Sequence, residues 1–544
     1  MVDRTQESAP PPISRFMAAA LGKHAGLDYE ETPLFQQLVE ELTAALLQGH
    51  ICIAVNEEQR HLLSRSRVVA ENRRAPLVLS GGRLYFGRYF GYESELAESL
   101  KTLATAAGPS PEALTTVTGR ISKAKADAQQ QRAVTIALNN RFCIISGGPG
   151  TGKTTLIVAI IADLLVRHGP DLRIALAAPT GKAALRMQES ISMQLGETQL
   201  EPSVAARFPA QSMTLHRLLE LGRRAGWSGS RSSEPLDYDV VVVDEASMVD
   251  LAMMWRLVRA LKKNARLVLL GDRNQLASVE SGAVLADCID SLPNNVAELT
   301  KSYRFNEAIA HLADTVKYGA ADEAWSFSSS SGGPAVSIAS PDWLDRCTAG
   351  YREFVELAAK TNDPTHFGAV FEQFTQFRIL CALRQGPHGS EEINRRIERA
   401  LVGIRPTVDG EHWYPGKPVL ITRNDYSLGL YNGDIGICLP DSEGGALRLW
   451  FEAADGTLKK YLPAQIPLYD LAWALTIHKS QGSEFQHVLV VLPERDNRVL
   501  CRELLYTAVT RARQKVVVVA REDIFKTAVK RKTVRSSGLA ERLT

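Results

Sequence analysis

The residues best suited to chemistry form a glycine-rich loop, GGPGTGKT, at positions 147–154. It matches the pattern G-x-x-x-x-G-K-[ST], in which backbone N–H groups surround the phosphates of a nucleoside triphosphate. Lys153 is expected to neutralise the β- and γ-phosphates, and the Thr154 hydroxyl to coordinate Mg²⁺. The other predicted nucleotide contacts are Gly147, Gly148, Pro149, Gly150, Thr151, Gly152 and Thr155. ATP and Mg²⁺ are therefore the expected cofactors.

Two adjacent carboxylates follow about ninety residues later, directly after an unbroken valine run at 240–243. Consecutive β-branched residues predict a strand that is buried on both faces of a parallel sheet. The carboxyl end of such a strand lies at the crevice where ligands of open α/β sheets bind. We therefore expect Asp244 to hold Mg²⁺ and Glu245 to orient and deprotonate water. A strand end that merely turns polar is the alternative, and the glycine-rich loop upstream makes it the poorer one.

The surrounding sequence supplies the elements that must position these residues. The apolar stretch 142–145 predicts a strand that leads into the loop, and 156–165 has the apolar spacing of a helix that leaves it. Another buried strand, 267–270, precedes Asp272 and Gln275, which should reach the same crevice because neighbouring parallel strands end together. The expected fold class is α/β.

Composition narrows the class of protein further. Among 544 residues, 45% are hydrophobic and 23% charged, as in ordinary globular proteins. A net charge of +2 excludes a general cationic face, so a nucleic-acid site has to be a local groove. The seven cysteines form no CxxC pair, which argues against zinc, iron–sulfur and disulfide frameworks and fits a reducing cytoplasm. We expect neither a signal peptide nor a membrane span.

Changes in pattern along the chain predict its domain boundaries. A serine run at 328–331 followed by Gly332, Gly333 and Pro334 is typical of a flexible linker. Strands predicted at 377–383, 487–492 and 515–520 indicate a second α/β domain. The expected order is a disordered leader at 1–12, a mostly helical N-terminal domain at 13–115, a first α/β domain at 116–325, a linker at 326–340, a second α/β domain at 341–412 and 471–544, and a small β-barrel-like insertion at 413–470.

Several further segments carry a family resemblance when they are taken together: APTGKAA at 178–184, TLH at 214–216, LGDRNQLASV at 270–279, YRF at 303–305, TIHKSQG at 476–482 and YTAVTRAR at 506–513. In this order and spacing they resemble the motif set of superfamily 1 helicases over about 125–515. The segments GDRNQLASVESG and TIHKSQGSEF are most similar to the RecD-type subunit, the alpha chain of exodeoxyribonuclease V. The resemblance implies two RecA-like motor domains with ATP in the cleft between them, an SH3-like insertion, and an N-terminal domain that docks on a partner.

The resemblance also implies roles for single residues around the nucleotide. Gln129 matches the glutamine that reads adenine, although Ala128 stands where the family usually has an aromatic residue. Gln275 matches the residue that senses the γ-phosphate. Arg304 and Arg511 match arginines that reach the transition-state charge across the cleft, an interaction worth roughly 10³–10⁵ in rate. A salt bridge at a surface or domain interface is the alternative for either arginine.

A second set of matched positions implies contact with a single strand. Hydroxyls, amides and backbone N–H groups can hold a single-stranded backbone without reading its sequence. The implied strand contacts are Thr180, Lys182, Thr214, His216, Thr476, His478 and Gln481. For the two histidines, structural packing at strand ends is an equally open alternative.

Two other groups of residues favour packing or solvation over catalysis. The aromatic residues between Tyr85 and Tyr92 alternate with arginine, and their pattern favours a core or protein-docking role over base stacking. The basic residues between Lys526 and Arg535 are interpreted as a solvated face.

Together these residues and the resemblance imply an ATP-dependent helicase on single-stranded DNA. The resemblance alone implies the 5′–3′ direction and a role in processing duplex ends in double-strand break repair by homologous recombination. The resemblance implies RecB-like and RecC-like partners, the beta and gamma chains of a heterotrimer. The sequence has no nuclease-type carboxylate cluster with an adjacent lysine, so cutting is expected from those partners. The alternatives are an ATP-gated regulatory subunit that binds DNA without unwinding it, and a stand-alone RecD-like helicase, for which a longer N-terminal region is expected. A small-molecule kinase shares the glycine-rich loop but needs neither TIHKSQG nor YTAVTRAR.

Lys153→Gln is predicted to abolish ATP hydrolysis while strand binding persists. The lysine ammonium neutralises the triphosphate, whereas the implied strand contacts lie elsewhere in the sequence. ATP turnover and single-strand binding measured in one preparation test this expectation. Turnover near the wild-type rate would contradict the assignment of the loop.

Overall fold

The computed structural model describes residues 11–71, 75–106, 127–198, 200–221, 235–278, 280–303, 306–330, 335–339, 342–401, 413–425, 427–441, 445–453, 456–466 and 468–544. Within these ranges, no helix combines the length and the apolar character needed to cross a membrane. In the described ranges, helices and strands alternate, and the strands form four sheets.

The helices are α1 Pro12–Gly22, α2 Thr32–Leu47, α3 Glu57–Arg65, α4 Gly87–Thr105, α5 Ala128–Asn139, α6 Lys153–His168, α7 Gly181–Glu197, α8 Pro202–Ala205, α9 Leu215–Leu221, α10 Leu251–Ala260, α11 Val284–Ser291, α12 Glu307–Tyr318, α13 Ala321–Ser330, α14 Trp343–Lys360, α15 Phe367–Gln376, α16 Ser390–Ala400, α17 Arg502–Val509, α18 Glu522–Lys530 and α19 Leu539–Leu543.

The strands are β1 Cys52–Ala54, β2 Val69–Ala70, β3 Leu77–Ser80, β4 Arg83–Phe86, β5 Phe142–Gly147, β6 Ile174–Ala178, β7 Ser212–Thr214, β8 Val240–Val243, β9 Arg266–Gly271, β10 Val296–Leu299, β11 Val336–Ile338, β12 Phe377–Cys381, β13 Pro418–Ile421, β14 Ile435–Pro440, β15 Leu447–Glu452, β16 Leu458–Tyr461, β17 Tyr469–Leu471, β18 Ala474–Thr476, β19 Phe485–Val491 and β20 Ala512–Val519.

The first α/β domain is built on a six-stranded sheet with the order β10-β5-β9-β8-β6-β7, in which every neighbouring pair is parallel. The predicted strands at 142–145, 240–243 and 267–270 are confirmed as β5, β8 and β9. All four valines of β8 are buried, as a strand covered on both faces requires. Since β5, β9 and β8 are adjacent, the glycine-rich loop, Asp272 and Asp244 leave the sheet at one edge.

The second α/β domain has a five-stranded parallel sheet with the order β11-β20-β19-β12-β18. The predicted strands at 377–383, 487–492 and 515–520 are confirmed as β12, β19 and β20. Two parallel sheets flanked by helices confirm the α/β fold class.

The expected boundary between these domains was wrong. The buried faces of α12 and α13, including Ile309, Leu312 and Val316, belong to the core of the second domain. The predicted linker at 326–340 contains the end of α13 and strand β11, which pairs with β20. Ser328 Oγ donates to the Ala324 carbonyl (2.8 Å), so the helix continues into the serine run. Residues 331–334 and 340–341 lie outside the described ranges.

The predicted β insertion at 413–470 is an antiparallel five-stranded sheet with the order β16-β15-β14-β13-β17. It has a small core of its own, to which Val419, Ile421 and Leu449 contribute. The last strand, β17, ends at Leu471, three residues before β18 re-enters the second parallel sheet. The insertion is therefore attached to the second α/β domain at both of its ends.

The N-terminal region packs α1 to α4 around a four-stranded sheet with the order β1-β4-β3-β2. Helix α2 follows the N-terminal helix α1, and β3 and β4 form an antiparallel hairpin. Gly81 and Gly82 turn that hairpin with φ of 57° and 72°, a conformation that favours glycine. The predicted leader falls mostly on 1–10, outside the described residues, and α1 begins at Pro12. The predicted boundary near 115 also lies outside them.

The aromatic residues of α4 pack within the chain. The Tyr92 and Trp255 rings lie 4.4 Å apart between centroids, and Trp255 Nε1 donates to Glu95 Oε2 (2.8 Å). Tyr85 is fully buried. The aromatic side chains therefore pack the N-terminal region against α10 of the first α/β domain.

The C-terminal tail, residues 535–544, returns to the start of the chain. Arg535 is half-buried and donates to the carbonyls of Glu280 (2.8 Å) and Gly282 (2.7 Å), so the prediction of a solvated face was wrong there. Arg531 likewise pairs with Asp496. The expected boundary of 471–544 was also wrong at its end, because α19 packs on α4 and α11. These partners lie hundreds of residues away in sequence, which is why local composition misled.

A buried carboxylate fixes this tail. Glu93 of α4 has no exposed surface and accepts hydrogen bonds from Ser537 Oγ (3.0 Å), Gly538 N (2.8 Å) and Arg542 Nε (3.1 Å). A buried charge is tolerated only when its hydrogen bonds are made, so the tail and α4 depend on each other.

Glu93→Gln is predicted to lower the Tm by about 5–10 °C, because it leaves Arg542 without its partner and one acceptor too few for three donors. Thermal unfolding and hydrogen exchange of residues 535–544 measure the effect. Glu98→Gln, an exposed position on the same helix, is the matched control and should leave both unchanged. Equal behaviour of the two variants would contradict the role given to Glu93.

Candidate active site

The glycine-rich loop connects β5 to α6 in the order that the sequence predicts. Gly150 and Gly152 have φ of 77° and 83°, in the left-handed region. A Cβ on Gly147 would lie 2.7 Å from Thr151 Oγ1 and 2.9 Å from Leu299 Cβ, so only glycine fits there. The loop backbone therefore carries no side chains that block access to the start of α6. Its N–H groups and the N-terminus of the helix attract an anion there.

Lys153 is the first residue of α6 and stays within the loop. Its Nζ donates to the carbonyls of Gly147 (2.6 Å) and Gly148 (3.0 Å). Thr151 Oγ1 also donates to the Gly148 carbonyl (2.9 Å). These bonds hold a positive charge at the centre of the phosphate-binding backbone.

The two carboxylates follow β8 directly, as predicted. Burial, and then the adjacent charge of Glu245, raise the pKa of Asp244, while Lys153 opposes the shift. Glu245 has a φ of 52° and is the non-glycine residue with left-handed backbone in the described ranges. Its N–H donates to Asp244 Oδ1 (2.8 Å). Strained backbone of this kind persists where the surroundings hold a side chain in a required direction.

The switch segment, residues 272–276, links the two α/β domains. Asp272 Oδ2 accepts from Tyr506 Oη (3.0 Å) and Gln275 Nε2 (3.2 Å). The next residue, Leu276, donates its N–H to Thr507 Oγ1 (3.0 Å). Hydrogen bonds therefore connect the switch segment directly to α17 of the second domain.

Arg511 extends from the second domain toward the same site and is almost completely buried. Its Nε donates to the Thr507 carbonyl (3.1 Å) and its Nη1 to the Ser483 carbonyl (3.2 Å). In the described part of the chain, Arg511 Nη2 and Gln275 Oε1 are buried without a hydrogen-bond partner. Such atoms carry a free-energy cost unless a ligand satisfies them.

One cavity of about 430 Å³ lies between the two α/β domains. The first domain lines it with the loop, Asp244, Glu245 and Gln275, and the second with Gly482, Glu484, Arg511 and Arg513. Helix α7 supplies a third wall that includes Arg186, which the sequence analysis missed. Its side chain carries no motif signal, because only the packing of α7 beside α6 brings it to the site.

Gln129 lies beside the loop in a paired network. Its Nε2 donates to Thr300 Oγ1 (2.9 Å), and its Oε1 accepts from Thr300 N (2.9 Å). Tyr303 donates its N–H to the Gly150 carbonyl (2.9 Å) and its hydroxyl to Asp127 (2.9 Å), with 54% of its surface exposed. Within the YRF segment, the sequence indicated a role for Arg304 and none for Tyr303. The predicted cross-cleft residue Arg304 lies outside the described residues.

The predicted strand contacts lie at the carboxyl ends of β6 and β7 in the first sheet and of β18 in the second. Three hydroxyls cap local turns: Thr180 accepts from Ala183 N (3.2 Å), Thr214 from Arg217 N (3.1 Å) and Thr476 from Lys479 N (3.3 Å). A Cβ on Gly482 would lie 3.5 Å from Ala183 Cβ. The predicted strand contacts of the first α/β domain therefore lie next to those of the second across the domain boundary.

The remaining predicted contacts differ in exposure. His216 is exposed, whereas His478 is half-buried and burial, together with Arg535, lowers its pKa. Gln481 is buried and donates to the Leu276 carbonyl (3.1 Å), which places it between the domains. Burial, with Arg186 and Arg378 nearby, lowers the pKa of Lys182 to about 7.

Two parallel α/β sheets that share a phosphate-binding loop, a carboxylate pair and a cross-cleft arginine define a P-loop motor protein of the RecA-like class. Family models agree with the two halves of this description. The model described as AAA domain matches residues 130–281, and the one described as UvrD-like helicase C-terminal domain matches residues 471–519.

Comparison with individual proteins is more specific. The "RecBCD enzyme subunit RecD" of Mycobacterium tuberculosis strain H37Rv is 39% identical over 474 residues, 85% of this chain and 80% of that protein. The protein of the same name in Haemophilus influenzae is 35% identical over 540 residues, 87% and 82% of the two chains. The "ATP-dependent RecD2 DNA helicase" of Deinococcus radiodurans is 32% identical over 475 residues, 85% of this chain and 59% of that protein. The chain belongs to the RecD family.

Among solved structures, the Pif1 helicase from Bacteroides in complex with ADP-AlF3 and ssDNA is 18% identical, covers 75% of this chain and 94% of that one, and has a TM-score of 0.42. A likeness at this level has no weight beside the family match.

Asp244→Asn is predicted to abolish ATP turnover and yet to raise the Tm of the nucleotide-free protein by about 3–8 °C at pH 8. Because the pKa of Asp244 is raised in the folded state, its carboxylate destabilises the protein above that pKa. The gain should shrink as pH falls through about 6, where the native side chain begins to bind a proton, and should be lost only below the ordinary pKa of 3.8, where the unfolded chain binds one as well. Thermal unfolding across this pH range measures it, with the exposed Asp171→Asn as control. A gain independent of pH would contradict the electrostatic cause.

Proposed function

We propose that this chain is an ATP-driven DNA helicase subunit that moves along one DNA strand and separates duplex. The observation that carries this proposal is the cavity between the α/β domains. It joins a phosphate-binding loop and a carboxylate pair of one domain to the buried Arg511 of the other. A nucleotide bound there contacts both domains, so binding and hydrolysis change how the domains approach each other.

The residues of the cavity fit ATP and Mg²⁺. The bare loop and Lys153 suit the phosphates, and the unpartnered Gln275 Oε1 and Arg511 Nη2 suit groups that only a ligand supplies. Asp244 and the Thr154 hydroxyl offer the hard oxygen ligands that Mg²⁺ prefers together with phosphate oxygens. When bound, the ion would neutralise charge on the β- and γ-phosphates.

The chemistry assigned to the chain itself is hydrolysis of the γ-phosphoryl group. Glu245 orients a water and takes its proton as the water oxygen bonds to the γ-phosphorus. The bond to the bridging oxygen breaks, and its electron pair stays on ADP. Arg511 and Arg304 stabilise the charge that spreads over the transferring group, and Gln275 holds the water or the phosphate.

Nucleotide base recognition is assigned to Gln129 and Tyr303. The Tyr303 ring is exposed beside the loop and is fixed by Asp127, so it offers the aromatic face that Ala128 lacks. Gln129 reaches the same side of the loop and can exchange its bonds to Thr300 for bonds to adenine.

Movement along the strand is assigned to the switch segment and the strand contacts. Hydrogen bonds from α17 to the switch segment couple the nucleotide cavity to the second domain. Thr180, Lys182, Thr214 and His216 grip from the first domain, and Thr476, His478 and Gln481 from the second. Alternating grip by the two domains then gives steps, for which we propose the 5′–3′ direction.

Family membership supports a proposal for the partners and the cellular role of the chain. We assign the chain to an exodeoxyribonuclease V complex with RecB-like and RecC-like subunits, acting at DNA ends in double-strand break repair in the cytoplasm. Nuclease activity is assigned to the partners. Docking through the N-terminal domain is supported by exposed apolar side chains on and beside α1, namely Ile13 (56%), Phe16 (71%) and Tyr29 (95%). We further assign the β insertion to the SH3-like type.

Unwinding of duplexes with only a 5′ or only a 3′ single-stranded tail tests the proposed function. The chain is expected to hydrolyse ATP with either tailed duplex. It should separate only the 5′-tailed duplex, since the motor must load on the strand along which it moves. The Lys153→Gln variant is the matched control and should separate neither. ATP turnover without unwinding of the 5′-tailed duplex would contradict an autonomous motor, and unwinding from the 3′ tail would contradict the direction.

A further inference from the structure

Helix α7 carries a further residue of interest beyond the DNA-strand contacts predicted at its first turn. Its next turn carries Arg186, whose side chain lines the cavity together with Lys153, Glu245 and Arg511. Arg186 is half-buried, and its position follows from α7 packing on α6, the helix that starts at the glycine-rich loop.

The Arg186 guanidinium has no partner among the described residues: it makes no hydrogen bond, and no carboxylate lies within 4.0 Å of it. Glu484, an acidic residue of the same cavity wall, is bound by Arg513, with Nη2 and Oε2 3.0 Å apart. Arg167 of the neighbouring α6 shows the contrast, because its Nε pairs with Asp163 Oδ2 at 2.7 Å. An unpaired guanidinium at a partly buried position is uncommon, since desolvation is not repaid.

The charges around Arg186 also indicate that its guanidinium group lacks a partner. Burial lowers the pKa of Arg186 to about 10, Glu484 opposes that shift, and Arg511 adds to it. Arg186 and Arg511 come from different domains and face one cavity, so their charges repel across it. An anion between them relieves both the repulsion and the missing hydrogen bonds.

We propose that Arg186 binds the terminal phosphate of the nucleotide, as an arginine supplied by the same domain as the loop and opposed to Arg511 of the other domain. This inference rests on the proposed ATP-driven function and adds a residue to it. ADP lacks the group that Arg186 binds, so the residue distinguishes the two nucleotides.

Other roles for Arg186 fit the observations less well. Glu189, one turn further along α7, is exposed and opposes the lowering of the Arg186 pKa, but the two side chains form no ion pair within 4.0 Å. A DNA phosphate is a less suitable partner, because the cavity that Arg186 lines begins at the glycine-rich loop and Lys153, which fit the phosphates of a nucleotide.

Binding of ADP and of the non-hydrolysable β,γ-imido analogue of ATP to the full chain tests the inference. Arg186→Gln is expected to weaken the ATP analogue by about 10- to 100-fold, the loss of a charge-assisted hydrogen bond or two, and ADP by less than about twofold. Arg186→Lys should recover part of the difference because it keeps the charge. Arg256→Gln, an exposed position on α10, is the control and should bind both nucleotides like the wild type.

Equal weakening of ADP and the analogue would overturn the inference, because a merely structural residue affects both nucleotides alike. Unchanged binding of the analogue would overturn it as well. Failure of the wild-type chain and Arg256→Gln to bind either nucleotide would instead overturn the proposed function, on which the inference depends.

Discussion

Positive charge facing the cleft from both α/β domains is the constraint on which the rest of the site depends. Lys153 and Arg186 belong to the first domain and Arg511 to the second, and all three line one cavity. Cations in a partly buried space repel each other unless an anion lies between them. The same cavity also holds the carboxylates of Asp244, Glu245 and Glu484. In the proposed function, a triphosphate bound between the three cations would stabilise the approach of the domains, and loss of its terminal phosphate would weaken that approach. In this account, the chemistry of hydrolysis and the relative movement of the domains are one physical event.

The switch segment carries this event to the rest of the molecule. Within five residues it contains Asp272, bound by Tyr506, and Leu276, bound by Thr507 and Gln481 of the second domain. The chain then continues into a loop whose carbonyls accept from Arg535 of the C-terminal tail. Since that tail is fixed to the buried Glu93 of α4, the N-terminal region and the nucleotide cavity share a short, hydrogen-bonded connection. A partner that docks on the N-terminal region is thus placed to affect the motor.

The sequence predicted what depends on local chemistry and missed what depends on distant packing. The loop at 147–154 and the valine strand before Asp244 were predictable because phosphate binding and two-sided burial restrict residue types at fixed spacing. The serine run after Trp325 has the composition of a linker, yet the Ser328 hydroxyl bonds within α13 and the helix packs on the second domain. Arg186 and Arg535 show no local pattern, since the groups around them come from elements far along the chain.

Closure of the two domains on the terminal phosphate can be measured directly as the distance between two labels, one on either side of the cleft. All seven native cysteines are buried, so Ser192→Cys on α7 and Gln514→Cys on β20, both exposed, can be labelled selectively for fluorescence energy transfer. The account predicts that the labels come closer with the β,γ-imido analogue of ATP than with ADP or without nucleotide, and that Lys153→Gln removes the difference. An unchanged label separation in all three states, in a chain shown to bind both nucleotides, would contradict it.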